Sequence, residues 1–263
     1  MLVFSAFCPH TPLVVPTVGK ENIDKLQNTI DAYSEIEQAF QKAEPECVII
    51  ISPHGDSYDD AFSINFCDTY HGDFEEFGDF STKLELRSDY LLIDRIQRLM
   101  RDEHAAITLD SCEKLDHGAV VPLFMLAKNI KDIRLVPLNP SGLDLKKHFD
   151  FGQTLKEIIL DTNKRVAVIA SGDLSHSLTT EAPAGFNEHG KEFDESFRSL
   201  LANDNMAGLQ TLNKTMVEGA HECGLKPMVI LSGILHGMEY EPNILSYEAP
   251  FGVGYLTCIF KMI

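Results

Sequence analysis

Three short apolar runs constrain this fold more than any other feature of the chain. Leu2–Cys8 (LVFSAFC), Cys47–Ser52 (CVIIIS) and Arg165–Ala170 (RVAVIA) read as strands. CVIIIS is continuously apolar, as a strand buried on both faces requires. Helical patterns separate the runs. Lys20–Ala43 places Ile23, Leu26, Ile30, Tyr33, Ile36 and Phe40 at steps of three and four, which predicts one apolar helix face. Tyr90–Arg101 and Lys147–Leu160 read as further helices, with strands at Phe62–Cys67 and Ile133–Leu138. Asp68–Phe80 is polar, acidic and glycine-containing, and is expected to be a long loop or flap.

Beyond Leu178 the chain turns mainly helical. Lys191–Ala202, Met206–Leu212 and Leu225–His236 read as helices, and Asn243–Tyr247 and Gly252–Phe260 as closing strands. Strand–helix alternation predicts α/β architecture: a three-layer α/β/α sandwich around a central mixed, mainly parallel sheet. With no internal repeat and no Pro/Gly/Ser-rich linker, residues 1–263 read as a single domain.

Charge narrows the function. With 22 Lys+Arg against 40 Asp+Glu the formal net charge is −18, which disfavours nucleic acid and anionic membranes as partners. No apolar run reaches the length of a membrane span, and MLVFSAFCPH lacks the basic start of a secretory signal, so a cytoplasmic protein is expected. Cys8, Cys47, Cys67, Cys112, Cys223 and Cys258 are scattered without a C-x-x-C pair, as reduced core cysteines are, and a zinc ribbon is excluded.

Three histidines follow the three apolar runs: His10 in CPHTPL, His54 in SPHGD and His176 in ASGDLSH. Ligands of α/β sheets bind beyond the carboxyl ends of strands, so parallel strands would bring all three to one rim. Imidazole is the commonest protein metal ligand. GAHECGLKP offers a third donor. Glu222 would complete two histidines and a carboxylate, a set suited to iron, or would simply cap the following helix; Cys223 would make a softer set suited to zinc or copper, or would simply be buried. His117 in LDHGAVVPL is a pocket hydrogen-bond donor or a turn residue, with Pro122 placed to start a helix. Asp173 is spaced to orient His176 or to close an Asx-turn.

The motifs PHTPL (9–13), SPHGD (52–56), DHGAVVPL (116–123), SGDLSH (171–176) and GKEFDESF (190–197) together resemble the class III extradiol ring-cleavage dioxygenase superfamily, whose type member is the catalytic subunit of protocatechuate 4,5-dioxygenase. They also resemble the related Memo-like proteins. The resemblance implies a three-layer sandwich, a non-haem Fe(II) cofactor (zinc or copper in a non-oxygenase relative), a catechol-type aromatic diol and O2 as substrates, and a homo-oligomer. It implies His10 and His54 as metal ligands, His176 as catalytic acid/base and His117 as a substrate-pocket residue. The dioxygenases take their third ligand from a glutamate, matched by Glu222; Memo-like proteins take it from a cysteine in a C-G step, matched by Cys223–Gly224.

Overall fold

The computed structural model describes residues 1–103, 105–127, 130 and 132–263. Ten strands join in one sheet among these residues: β1 (Leu2–Cys8), β2 (Cys47–Ile51), β3 (Phe62–Asn65), β4 (Thr69–Phe74), β5 (Asp79–Ser88), β6 (Ile107–Asp110), β7 (Arg134–Asn139), β8 (Val166–Ser171), β9 (Tyr240–Glu248) and β10 (Tyr255–Met262). The helices are α1 (Pro16–Gly19), α2 (Gln27–Lys42), α3 (Tyr90–Asp102), α4 (His117–Ala127), α5 (Leu145–Asp161), α6 (Glu188–Ala202), α7 (Lys214–Ala220) and α8 (Leu225–Leu235).

The main sheet path runs β4-β5-β7-β2-β8-β1-β10-β9, with β3 bridging β7 to β6. The centre, β5-β7-β2-β8-β1, is parallel; the pairs β1–β10, β10–β9, β3–β7 and β4–β5 are antiparallel. The sheet is therefore mixed, as the closing strand pair predicts. Side-chain alternation divides the core. Phe7, Ile49, Ile51 and Val168 pack with α3, α5, α6 and α8 on one face, whereas Phe4, Val48, Ile50 and Ile169 pack with α2 and α4 on the other. That is why CVIIIS needs no polar position.

Four expectations are corrected. Asp68–Phe80 is not a loop: it forms β4, a short 3-10 turn (Glu75–Phe77) and the start of β5. Tyr70, Gly72 and Phe74 point inward while His71 is exposed, so a period of two lies beneath the acidic composition. Phe74 packs edge-on against Phe124 of α4 at 5.6 Å. The long helix read from Lys20 is 3-10 over Lys20–Leu26 before α2, and Met206–Thr211 is likewise 3-10. Pro122 does not start a helix; it lies inside α4. No helix among the described residues is long and apolar enough to cross a membrane.

Candidate metal centre

Strands β2, β8 and β1 are adjacent and parallel, so the loops after them leave from the same end of the sheet. The carboxyl-end rim thus receives His10, His54 and His176. Tyr33 of α2 donates its hydroxyl to the Pro9 carbonyl and fixes the first of these loops.

His10 is 2% exposed, and its ring is set by a relay that begins with a proline. In α4, residue 122 would normally donate its N–H to the carbonyl of Gly118, but proline has none. The Ser171 hydroxyl donates to that carbonyl instead, at 2.5 Å. With its proton committed, Ser171 Oγ must accept, and it lies 2.9 Å from His10 Nδ1. His10 is therefore the Nδ1–H tautomer, and its Nε2 lone pair faces outward. That atom lies 3.0 Å from His54 Nε2 and 3.5 Å from Cys223 Sγ. Burial first, then His54, His117 and His176, holds His10 well below the ordinary imidazole pKa. His54, the outer member, is pushed down to about 4 by burial and then by His117, against the pull of Asp116. Both rings are neutral at pH 7, the state in which imidazole binds metal.

Cys223 reaches the rim because two glycines let backbones touch. A Cβ on Gly172 would lie 2.2 Å from Gly224 Cα. This approach lets the Asp173 N–H donate to Cys223 Sγ at 3.3 Å and the Cys223 N–H donate to the Asp173 carbonyl at 3.2 Å. Burial and then the Asp173 carboxylate raise the Cys223 thiol well above its ordinary pKa, so an arriving cation must displace its proton. Glu222, one residue away, points elsewhere. Its Oε2 accepts the Leu225 N–H at 2.6 Å, capping α8, and burial raises the carboxyl to about 7. Asp173, read as orienting His176 or closing an Asx-turn, accepts the His10 backbone N–H through Oδ1 at 2.9 Å, and its Oδ2 lies 3.8 Å from His10 Nε2. Burial raises Asp173 to about 7.

His117 opens α4 behind Asp116, whose Oδ1 accepts from Ser52 Oγ at 2.5 Å and from the Ala119 N–H at 3.2 Å. The His117 ring stacks on His54 with centroids 4.6 Å apart, and meets Phe77 edge-on at 5.7 Å. Burial lowers its pKa. His176 is also lowered by burial, against the opposing pull of backbone hydrogen bonds to Leu174 and His221. Sequence reasoning missed Asp194. This residue, 1% exposed, accepts the Ser175 N–H at 2.8 Å and the Tyr247 hydroxyl at 2.6 Å, and so anchors the loop that carries His176. Its signal was an acid between Phe193 and Phe197, spaced as core residues of one helix face.

The ligand atoms of His10, His54 and Cys223 all lie within 4.8 Å of one another. With bonds of about 2.0–2.1 Å to nitrogen and about 2.3 Å to sulfur, a tetrahedral ion separates its donors by about 3.4 Å (N to N) and about 3.6 Å (N to S). The observed 3.0 and 3.5 Å are close to both, so the residues fit a metal ion. Next to them a cleft of about 470 Å³ extends from His54 and His117 to Phe77 on the β4–β5 turn.

The chain matches the family described as the catalytic LigB subunit of aromatic ring-opening dioxygenase over residues 5–257. It is 33% identical to a protein of Clostridium acetobutylicum over 256 residues, 94% of this chain and 55% of that one. It is 26% identical to the 4,5-DOPA dioxygenase extradiol of Mirabilis jalapa over 178 residues, 65% of this chain and 64% of that one. The chain thus spans little more than half the length of these relatives. A crystal structure of an uncharacterized Escherichia coli K12 protein shares the fold, with a TM-score of 0.69, 17% identity, and coverage of 98% of this chain and 99% of that one.

Proposed function

This chain belongs to the family of catalytic LigB subunits of aromatic ring-opening dioxygenases, and from that premise we propose that it is a metal-dependent extradiol dioxygenase opening a catechol-type ring with O2. The observation that carries this reading is the convergence of His10 Nε2, His54 Nε2 and Cys223 Sγ beside a cleft floored by His117. In it, His10, His54 and Cys223 hold the metal, and iron(II) is the ion the family reading favours. When bound, the ion supplies Lewis acidity that acidifies a diol hydroxyl and brings diol and O2 together.

The chain's own residues divide the remaining work. Ser171 and Gly118 hold His10 in the tautomer that binds. His117, stacked on His54 and facing Phe77, lines the aromatic end of the cleft and donates to a substrate oxygen. His176, whose pKa burial lowers, takes the second hydroxyl proton and later returns it. Asp194 keeps that loop in place.

One observation favours a second reading. A thiol stands in the third ligand position while Glu222 caps α8, and thiolate favours zinc or copper over an oxygenase iron. On that reading the chain is a Memo-like metal-binding protein without ring cleavage. The deciding experiment is metal analysis of protein purified without oxygen, followed by O2 uptake with a catechol panel. About one iron per chain with catechol-dependent O2 uptake supports the dioxygenase. Zinc or copper retained through Cys223, with no uptake after Fe(II) reconstitution, supports the second reading.

A further inference from the structure

The segment that carries His176 belongs to no helix or strand, yet it is fixed from several sides. Between Ser171 and Ser177 only His176 is not buried, so its ring emerges from a closed stretch of chain. Backbone groups of other segments answer most of this stretch. The Leu174 N–H donates to the Gly254 carbonyl at 2.8 Å, the His176 N–H to the Ala220 carbonyl at 2.9 Å and the Leu178 N–H to the Gly252 carbonyl at 3.1 Å; the His176 carbonyl accepts the Ala184 N–H at 3.1 Å. Two N–H groups depend on side chains instead, and they flank His176. The Ser175 N–H donates to Asp194 Oδ1 at 2.8 Å, and the Ser177 N–H to Ser175 Oγ at 3.0 Å. Ser175 Oγ in turn donates at 3.1 Å to the Ala220 carbonyl, the same group that takes the His176 N–H.

The connection continues outward from Asp194. Its Oδ2 accepts the hydroxyl of Tyr247 from the edge strand β9 at 2.6 Å, and the Arg198 guanidinium lies over the Tyr247 ring at 4.0 Å. Gly254 makes room for the carboxylate, since a Cβ there would overlap Asp194 Oδ2. Burial raises the Asp194 carboxyl to about 6, against the hydrogen bonds from Tyr247 and Ser175 and the pull of Arg198. An apolar residue at 194 would suit the buried face it shares with Phe193 and Phe197, and a phenylalanine would fill the space of Tyr247. A buried acid gives no more stability than such packing. What it adds is direction: two hydrogen bonds to a charged group set the carboxylate, and through it the Ser175 N–H.

We propose that Tyr247 is a positioning residue for the acid/base step: its hydroxyl fixes Asp194, Asp194 fixes Ser175, and Ser175 holds the His176 ring beside the metal ligands. His176 stands close enough to His10 and His54 to weigh on the ionisation of both. The acid/base step itself rests on the function proposed above; the coupling of Tyr247 to the His176 ring does not.

The test compares Tyr247→Phe with Tyr240→Phe, which removes a hydroxyl from the same strand where it faces Asp204. In the Fe(II)-reconstituted chain, Tyr247→Phe is expected to lower kcat with catechol about tenfold at unchanged KM and metal content. It should have no further effect in a His176→Gln background, and Tyr240→Phe should leave kcat at the parent value. A second readout needs no turnover. In the zinc(II)-loaded chain, Tyr247→Phe should shift the His176 ring resonances in NMR spectra, assigned through His176→Gln, and leave those of His148 in place. Unmoved His176 resonances overturn the proposal whatever the activity does. An equal loss of kcat in the parent and His176→Gln backgrounds also overturns it, because the tyrosine then does not act through His176. If the resonances move while the parent turns over no catechol, the coupling stands and the dioxygenase reading falls. Should Tyr247→Phe not fold, Asp194→Asn is read by the same criteria; it keeps an acceptor for the Ser175 N–H but not for the Tyr247 hydroxyl.

Discussion

Two buried histidines on this sheet look alike until their lone pairs are followed. His10 lies at the rim and His148 in α5, with exposures of 2% and 0%. Burial pushes both below the ordinary imidazole pKa, His148 to about 4. At His148 every polar atom is answered: Nδ1 donates to the Asp144 carbonyl at 2.8 Å, and Nε2 accepts the Ser141 N–H at 3.2 Å. At His10, Nδ1 is answered by Ser171, whereas Nε2 shares its surroundings with two further metal-ligating atoms, His54 Nε2 at 3.0 Å and Cys223 Sγ at 3.5 Å, rather than with a backbone group. A depressed pKa therefore marks burial. A lone pair that converges with other metal-ligating atoms marks a candidate ligand site.

The sharpest break in this comparison is His10→Ala against His148→Asn. The first should abolish metal retention, lowering metal affinity by more than about 1,000-fold, while the second leaves metal content at the parent level; equal metal content in both variants would remove His10 from the site. The second difference is pH dependence. His148 has a folded pKa of about 4, below its unfolded value near 6.5, so its stability contribution is full above the unfolded value and is lost as pH falls towards 4. The loss amounts to about 3 kcal/mol. Denaturant titrations between pH 7 and pH 4 should show the stability slope flattened by about one proton in His148→Asn; an unchanged slope would contradict the burial argument.

The next effects are transmitted through the relay. Ser171→Ala leaves His10 Nδ1 without its acceptor and should weaken metal binding by about 10–100-fold with little change in fold, measured by competition with a chromophoric chelator. Pro122→Ala is subtler. It restores an N–H that competes for the Gly118 carbonyl, freeing the Ser171 proton and loosening the His10 tautomer. A several-fold loss of metal affinity is expected, together with equal or higher helix stability, because the alanine also repairs α4. If Pro122→Ala leaves affinity unchanged while Ser171→Ala lowers it, the proline does not take part in the relay.

The hairpin of β4 and β5 shows why part of the fold was hard to read. Its inward residues are a tyrosine, a glycine and a phenylalanine separated by charged positions, so composition argued for a loop while the pleat buried every second side chain. Pro122 was misplaced for a related reason. A proline inside a helix is unfavourable unless something takes up the freed carbonyl, and the group that does, Ser171, is 49 residues away in sequence. By contrast, β1, β2 and β8 were legible because a strand buried on both faces shows its apolarity without periodicity.

For the candidate site, sequence alone determined which histidines could meet. His10, His54 and His176 each follow a core strand, and the parallel order β2-β8-β1 brings those ends to one rim. Only the tertiary structure decided what they meet. The choice between Glu222 and Cys223 depends on Gly172 and Gly224 touching across 52 residues of chain, which turns the sulfur towards His10 and the carboxylate to the start of α8. The same holds for Asp173, whose oxygen accepts the His10 N–H, and for Asn139, whose amide nitrogen donates to Ser63. Residue type and strand position are local properties. The direction of a lone pair depends on hydrogen bonds between distant segments, and those form only once the layers have packed.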